Sequence, residues 1–251
     1  RPFAFTKDKP QMSSAPIDTQ ALPPVLAIQS LRFRWPRAVK DTLNIDTLEV
    51  SRGETVFLYG PSGSGKSTLI AAIAGTINIQ PNSVWVAGTD IAGLNGGARD
   101  RFRGNHIGLI FQDFNLVPWL SAVENVLLAC DHAPKRRQNL GERARQKPLE
   151  ILSDLGLGPE LTDRKAGQLS IGLHQRVAAA RALIGAPDLV LADEATSALD
   201  DEARDRFVGL LTAHCANTRT SLLFVSHDRA LEPRFSRSLD FPELNSVVDR
   251  V

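Results

Sequence analysis

Hydrophobic and polar residues alternate along two stretches near the start of the chain, residues 25–35 and 42–50. An alternation with a period of two places the apolar side chains on one face of a strand and the polar ones on the other. Pro36 and several charged residues lie between the two stretches, which is typical of a turn. The pattern therefore predicts two antiparallel strands with one face of the sheet in water.

Three other short runs, residues 54–59, 189–192 and 222–225, are almost continuously apolar. The first run is interpreted as a strand that leads into a glycine-rich turn, and the last two are typical of parallel strands that are covered on both faces. Residues 202–213 have helical spacing and separate the last two runs, so we expect a β-α-β unit there. Further strands are predicted over residues 83–87 and 107–111.

Several segments have the spacing of helices, because their apolar or small residues recur every three or four positions. They cover residues 66–74, 121–130, 142–155 and 171–184. Ser170 has the residue type and the position of an N-cap for the last of these helices. The charged run at 135–145 is interpreted as a solvated face or a loop.

These elements predict one α/β domain over residues 25–251, in which an N-terminal antiparallel β subdomain precedes a core interrupted by a helical subdomain at about 113–183. The first 24 residues hold five of the fifteen prolines and show little periodicity. Residues 1–24 are therefore expected to form a flexible leader. Met12 is the only methionine and is a candidate natural start, which would make residues 1–11 an upstream extension.

Composition excludes few classes of protein, but it bears on the binding partners and the cellular compartment. The chain has 251 residues, is 43% hydrophobic and 23% charged, and carries a net charge of +1, so nucleic-acid binding is not expected from its charge. Cys130 and Cys215 lack metal-ligand spacing, which fits a reducing cytosol. We find no apolar run of about 18 residues and no signal segment, so any membrane role is expected to come through a partner.

The segment GPSGSGKST at 60–68 matches the pattern G-x-x-x-x-G-K-[ST] between a predicted strand and a predicted helix. Glycines let backbone N–H groups converge on phosphate oxygens, and the start of a helix adds positive potential. Lys66 is expected to neutralise the β- and γ-phosphates of a nucleotide, and the Ser67 hydroxyl to bind Mg²⁺. The nucleotide-binding candidates in this loop are Gly60, Ser62, Gly63, Ser64, Gly65, Lys66, Ser67 and Thr68.

The agreement of strand, loop and helix favours this prediction over a structural glycine-rich turn. The motif defines a P-loop NTPase, a class that includes kinases, GTPases, helicases and transporters, so it predicts a nucleotide and leaves the function open.

Two carboxylates, Asp193 and Glu194, follow the apolar run at 189–192. A strand that ends beside a phosphate loop would direct Asp193 toward the metal ion. Glu194 could then accept a proton from the attacking water. The alternative is a pair of solvated acids that end a strand.

The segment LSIGLHQR at 169–176 resembles the LSGGQ-type signature of ABC ATPases. Gln112, this signature, the two carboxylates, the segment SALD at 197–200 and His227 also follow the order of that family, over roughly residues 25–228. The chain is thus similar to the ATP-binding subunits of ABC transporters. The resemblance implies an ABC-type P-loop core, ATP and Mg²⁺ as cofactors, and ATP hydrolysis coupled to transport.

The resemblance also implies a head-to-tail dimer with a second copy, with two ATP molecules at the interface. Ser170 and Gly172 of one copy would contact the γ-phosphate held by the phosphate loop of the other copy. The start of a helix suits a phosphate. Ser170 can therefore serve as the N-cap of its helix and as a phosphate contact at the same time. Asp200 would align the facing subunit.

Within one copy, the resemblance implies that Gln112 touches Mg²⁺ and senses the nucleotide. His227 would position the γ-phosphate and the attacking water. Trp35 stands where the family has an aromatic residue that stacks on adenine, and its π-face suits a purine. Because Phe33 is close by, packing of Trp35 in a core is the alternative.

The signature departs from the family pattern at three positions. Ile171 replaces the first glycine, Leu173 replaces the glutamine, and His174 follows it. The missing glutamine removes a polar contact near the ribose and the dimer interface, which is worth about 0.5–1.5 kcal/mol for one hydrogen bond. We therefore predict weaker closure or slower turnover, with activity retained.

The segment FQDFNLVPWLSAVENV at 111–126 resembles the corresponding stretch of the MacB/LolD/FtsE-type ATPases. It follows Gln112, in the region that in this family grips the membrane-embedded permease. The favoured function is thus an extrusion or mechanotransmission ATPase on the cytoplasmic face of the bacterial inner membrane. The alternatives are a polar amino-acid importer subunit, a soluble ABC ATPase linked to nucleic acid, and a small-molecule kinase.

Overall fold

The computed structural model describes residues 23–247. Residues 1–22 of the predicted leader, with Met12, therefore lie outside the described residues. Within the described part, nine strands form two sheets. The strands are β1 (Leu26–Phe33), β2 (Leu43–Val50), β3 (Thr55–Tyr59), β4 (Val84–Val86), β5 (Thr89–Asp90), β6 (Ile107–Ile110), β7 (Leu189–Asp193), β8 (Ser221–Ser226) and β9 (Arg237–Asp240).

Eight α-helices connect or follow these strands between residues 23 and 247, together with short 3₁₀ turns. The helices are α1 (Lys66–Ile73), α2 (Gly96–His106), α3 (Ala122–Asp131), α4 (Pro134–Leu140), α5 (Lys147–Asp154), α6 (Ile171–Leu183), α7 (Asp201–Thr218) and α8 (Phe241–Leu244).

The first sheet has the order β2-β1-β4-β5, and its neighbouring strands are antiparallel. Leu26 lies opposite Val50 at one end of the β1–β2 pair. Apolar side chains of β1, including Ile28 and Leu31, are buried, whereas the polar residues between them are exposed. The predicted antiparallel pair with one wet face is confirmed.

The second sheet is parallel and has the order β6-β7-β8-β3-β9. The runs that predicted β7 and β8 pair directly, with Leu189 opposite Ser221, and α7 connects them as the predicted β-α-β unit. Both strands are buried along almost their whole length. Because the strands are parallel, the carboxyl ends of β3, β7 and β8 meet at one edge of the sheet, where a ligand site is expected.

Helices α3, α4, α5 and α6 pack on one another, and α6 also packs on β6. Val126, Leu152 and Val177 from these helices share one core with Val190 and Phe224 of the parallel sheet. The fold is thus the predicted α/β class, with an antiparallel sheet and a parallel sheet. The limits of the helical subdomain, 113–183, stay a prediction.

The interpretation of residues 135–145 as a solvated face or a loop is confirmed for most of the run, which is exposed, but it is wrong for Arg136 and Leu140, which are buried in α4. Arg136 in this helix is only 2% exposed. The buried guanidinium is stabilised because carbonyl groups at the ends of two elements accept its hydrogen bonds. They belong to Ile107 (2.6 Å), Ala182 (3.2 Å) and Ile184 (3.3 Å).

Other differences concern the bounds of elements. The helix predicted at 142–155 begins at Lys147, after a 3₁₀ turn at Gly141–Arg143. Helix α7 is longer than the predicted 202–213. Helix α2 was not predicted because it contains no buried residue that would give it an apolar period; the side chain of Asn95 caps its first turn.

Candidate functional site

The phosphate loop lies between the carboxyl end of β3 and the first turn of α1. Its backbone enters the left-handed region at Gly63, with φ of 77°, and at Gly65, with φ of 105°. A Cβ atom at Gly65 would lie 3.0 Å from the carbonyl oxygen of Thr42. Both the backbone conformation and the lack of space therefore require glycine at position 65. Without side chains at its glycines, the loop leaves its backbone N–H groups accessible to a ligand.

Lys66 begins α1, and its side chain is nearly buried, with 5% exposed. Its Nζ donates hydrogen bonds to the carbonyl oxygens of Gly60 (2.7 Å) and Pro61 (2.8 Å). Nζ also lies 3.5 Å from Oε1 of Glu194. The loop thus holds the ammonium group beside the acidic end of β7, and its role on the phosphates stays a prediction.

A cavity of about 410 Å³ lies over the phosphate loop. It brings together residues from the connection between β1 and β2, from the phosphate loop and the start of α1, and from the segments that follow β6 and β7. These residues are Trp35, Thr42, Ser62, Gly63, Gly65, Lys66, Ser67, Thr68, Gln112 and Glu194. Residues that are remote in sequence therefore line one space, large enough to take part of a nucleotide.

Trp35 lies at the outer side of this cavity and is 44% exposed. Its indole N–H donates to the hydroxyl of Thr68 over 3.4 Å, and its ring contacts Phe33 edge to face, with centroids 5.0 Å apart. The core-packing alternative does not describe such an exposed ring. Stacking of Trp35 on adenine stays a prediction, and its position permits it.

Asp193 ends β7 and is partly buried. Burial raises the pKa of its carboxyl, the Ser67 hydroxyl lowers it, the Glu194 carboxylate raises it and the Lys66 ammonium lowers it, with a net increase. Its Oδ1 is buried and has no hydrogen-bond partner within residues 23–247. An unpaired buried carboxylate oxygen beside a hydroxyl fits the oxygen ligands that Mg²⁺ prefers.

Glu194 follows Asp193 in a left-handed backbone conformation, with φ of 47°. Its N–H donates to the carbonyl oxygen of Val225 over 3.0 Å, which fixes this turn to β8. Its Oε2 lies 2.9 Å from Nδ1 of His227, which follows β8. Strained residues of this kind occur at functional sites. Glu194 lines the cavity and is in contact with His227, an arrangement that suits a base and its orienting group, and both roles stay predictions.

Ser170 occupies the N-cap position of α6, but its side chain does not make the capping hydrogen bond. Both Ser170 and Ile171 are exposed, and a Cβ at Gly172 would meet no atom closer than 3.8 Å. Asp200 does cap its helix, accepting from the N–H of Ala203 over 2.8 Å. Like Ser170 and Gly172, Asp200 is not among the residues that line the cavity within one copy.

Comparison with known proteins decides the family. The model of the ABC transporter family matches residues 43–197, more than half of the chain. The chain belongs to the ABC transporter family. It is therefore an ABC ATPase, which binds and hydrolyses ATP.

Individual relatives agree with this assignment. The chain is 42% identical over 192 residues to the uncharacterized ABC transporter ATP-binding protein YbbA of Escherichia coli (strain K12), covering 76% of this chain and 82% of YbbA. It is 38% identical over 216 residues to the lipoprotein-releasing system ATP-binding protein LolD of Novosphingobium aromaticivorans, covering 85% and 94%. The resemblance to LolD-type ATPases is thus confirmed.

Among solved structures, the fold resembles the dimeric ATP-binding cassette MJ0796 bound to ADP and Pi. The TM-score is 0.75 at 29% sequence identity, and the alignment covers 90% of this chain and 97% of that one.

The structure adds residues to this ABC site that the sequence did not indicate. Thr42 lines the cavity, and its carbonyl oxygen accepts from the buried side-chain amide of Asn245 over 3.0 Å. Phe241 is fully buried, and its Cβ would lie 3.0 Å from a Cβ at Gly60. These residues support the phosphate loop from distant parts of the chain. A single sequence contains no periodic signal for such contacts.

The segment after Gln112 forms a loop that is fixed by hydrogen bonds to a buried side chain. The buried amide of Asn125 accepts from the N–H of Val117 over 2.8 Å and donates to the carbonyl oxygens of Val117, Leu120 and Ser121. Trp119 in the same loop remains 70% exposed. A groove of about 430 Å³ adjoins the loop and is lined by Phe111, Asn115, Leu128 and three arginines, Arg103, Arg136 and Arg181.

Proposed function

We propose that this ABC ATPase uses Mg-ATP to close a head-to-tail dimer and thereby drives a separate membrane permease of the MacB/LolD-like extrusion or mechanotransmission type. The observation behind the proposal is that only some of the predicted site residues lie at the cavity of one copy. Lys66 and Glu194 line one cavity and His227 contacts Glu194 over 2.9 Å, whereas Ser170 and Gly172 do not line that cavity and are at least partly exposed on the same copy. Such a division suits a site that two copies complete together.

The side chains of the site support a hydrolytic mechanism. Lys66 would move its hydrogen bonds from the loop carbonyls to phosphate oxygens, and the carboxylate of Glu194 would accept a proton from the attacking water. His227, in contact with Glu194, would orient that carboxylate and the γ-phosphate. Ser67, Asp193 and Gln112 would hold Mg²⁺, which supplies charge neutralisation at the phosphates.

The second copy would add the start of α6. Its Ser170 hydroxyl and first-turn N–H groups point to an anion-binding role, because the positive end of a helix stabilises phosphate. Asp200 begins α7 and would face the partner's site. The solved relative MJ0796 is dimeric, which supports this arrangement for the present chain.

A permease partner is supported by the loop after Gln112. Trp119 in this loop exposes an apolar ring, and the groove that Phe111 and Asn115 line combines apolar and arginine side chains, a composition typical of interfaces. Within residues 23–247, no helix has the length and apolar character needed to span a membrane. We place the ATPase at the cytoplasmic face of the bacterial inner membrane, bound through its permease.

Directed cross-linking tests the head-to-tail arrangement. Ser62→Cys and Ile171→Cys each place one thiol on an exposed position, while Cys130 and Cys215 are buried. In the Glu194→Gln background, mixing the two single variants with Mg-ATP should give a cross-linked dimer with a short bifunctional thiol reagent. Each variant alone should not give it. Ser62→Cys mixed with Leu149→Cys, on the exposed face of α5, is the control.

A monomer under these conditions, or a dimer that cross-links equally in the control, would contradict the proposal.

Transport is tested by ATPase assays with membranes, DNA and ribosomes. Stimulation by a purified polytopic membrane protein that co-purifies with the chain supports the proposal. Stimulation by DNA or ribosomes alone would instead indicate a soluble ABC ATPase.

A further inference from the structure

Arg204 forms an ion-pair bridge on the first turn of α7. Its Nη1 lies 2.6 Å from Oδ2 of Asp228 and 3.0 Å from Oδ1 of Asp201. The side chain is only 18% exposed, and its Nε is buried without a hydrogen-bond partner in the described part of the chain. A guanidinium this far removed from water is oriented mainly by its two carboxylates.

Asp228 directly follows His227, so the bridge acts on the turn that presents the imidazole. The other carboxylate oxygen of Asp228 accepts from the N–H of Ala230 over 3.0 Å, and its own N–H donates to the Ser226 hydroxyl over 3.2 Å. His227 itself is 54% exposed and contacts Glu194 through one ring nitrogen. The position of the imidazole therefore depends on how firmly Asp228 holds this turn.

The other end of the bridge lies in the segment that the dimer is proposed to use. Asp201 follows Asp200, whose side chain caps α7 and whose carbonyl oxygen accepts from the N–H of Arg204 over 2.9 Å. Arg204 thus joins the start of α7 to the turn after β8. A displacement of either segment would strain the same guanidinium.

We propose that Arg204 is a positioning residue for ATP hydrolysis, which ties the partner-facing start of α7 to the turn that holds His227. The inference rests on the proposed function, because it assumes that Asp200 faces the second copy and that His227 acts on the γ-phosphate. Closure of the dimer at Asp200 would then fix His227 against Glu194. Small displacements of positioned groups reduce turnover strongly, although binding of substrate changes little.

The experiment compares Arg204→Met with Arg206→Met. Arg206 lies on the same helix and makes an exposed ion pair with Glu202, 2.6 Å long, so its variant controls for loss of charge and of a salt bridge. We expect Arg204→Met to lower kcat about tenfold with KM for ATP within about twofold of the parent. Arg206→Met should match the parent in both constants.

A conservative variant separates positioning from general stability. Arg204→Lys retains a charge that reaches Asp228 and should recover part of kcat, and Asp228→Asn should cause no further loss when added to Arg204→Met. If Arg204→Met does not fold, Arg204→Lys and Asp228→Asn give the same comparison. In the Glu194→Gln background, Arg204→Met should still form the ATP-dependent dimer.

A parental kcat in Arg204→Met would overturn the inference and leave the proposed function intact. So would a fall in kcat that follows a loss of thermal stability and is not recovered by Arg204→Lys. By contrast, failure of Glu194→Gln alone to dimerise with Mg-ATP would contradict the proposed function itself.

Discussion

Nδ1 of His227 lies 2.9 Å from Oε2 of Glu194, whose second oxygen lies 3.5 Å from Nζ of Lys66. One carboxylate is thus in contact with two basic groups at the edge of the cavity. Glu194→Gln keeps the shape but removes the proton acceptor, so we expect kcat to fall by about 100-fold or more while ATP remains bound. Steady-state ATPase assays and size-exclusion chromatography with Mg-ATP would measure the two effects.

Glu202→Gln is the matched control, since Glu202 is exposed on α7 and its one ion pair among residues 23–247 is with Arg206. This control should keep the parental rate. A Glu194→Gln variant that hydrolyses ATP as fast as the parent would remove Glu194 from the proposed mechanism.

Nucleotide binding should quench the fluorescence of Trp35, because a purine that stacks on the indole changes its surroundings. Trp35→Leu should abolish most of the quenching that ATP causes in the parent. Trp119→Leu removes another exposed indole, outside the cavity, and should keep the signal. Equal quenching in Trp35→Leu and the parent would show that adenine does not stack on Trp35.

Leu173 lies where the ABC signature has glutamine, and in the fold it is partly buried against the helical core. Leu173→Gln should restore a polar contact at the proposed dimer interface and raise kcat severalfold, in line with about 0.5–1.5 kcal/mol for one hydrogen bond. Leu149→Gln, at an exposed position of α5, is the control for added polarity. Unchanged or lower ATPase activity of Leu173→Gln would count against this interpretation of the signature.

Local patterns predicted the elements whose burial repeats regularly. Alternation gave the antiparallel β1–β2 pair, and continuous apolar runs gave β7 and β8. The phosphate loop was also predictable, since its chemistry is concentrated in one short segment. Contacts between distant segments were not predictable. The side-chain amide of Asn245 donates to the carbonyl oxygen of Thr42, 203 residues away in sequence, and no periodic pattern in the sequence indicates this contact.

Arg136 is a charged residue whose burial the sequence pattern did not predict. Its guanidinium satisfies carbonyl groups of β6 and of the end of α6, and burial lowers its pKa to about 10. Arg136→Met should lower the free energy of unfolding by roughly 3 kcal/mol, because buried acceptors lose their donors. Arg137→Met, at an exposed neighbour paired with Asp131, should change it by less than about 0.5 kcal/mol.

Chemical denaturation followed by circular dichroism would compare the Arg136 and Arg137 variants. If both were as stable as the parent, the hydrogen bonds of Arg136 would not contribute to the fold as argued.

Asp188 lies just before β7, at the opposite end of the parallel strands from the phosphate loop, and pairs with α2, α4 and the turn between β2 and β3. Its Oδ2 lies 2.7 Å from Nδ1 of His106 and 2.7 Å from Nζ of Lys135, and its Oδ1 lies 3.3 Å from Nη1 of Arg52. Burial alone would raise the pKa of Asp188, but the hydrogen bonds from His106 and Lys135 lower it well below its usual range. Asp188→Asn should therefore cost roughly 1–3 kcal/mol in the free energy of unfolding at pH 7.

The pH dependence of this cost has a definite sign. A carboxyl with a depressed pKa stabilises the fold above its unfolded pKa of about 3.9, and this stabilisation disappears as the pH falls toward the folded value. The difference between the parent and Asp188→Asn should thus be constant down to about pH 4 and narrow below it. Asp131→Asn, at an exposed ion pair, should show little difference at any pH. Urea titrations at several pH values would reveal the trend, and a gap that widens below pH ~4 would contradict the assigned role of Asp188.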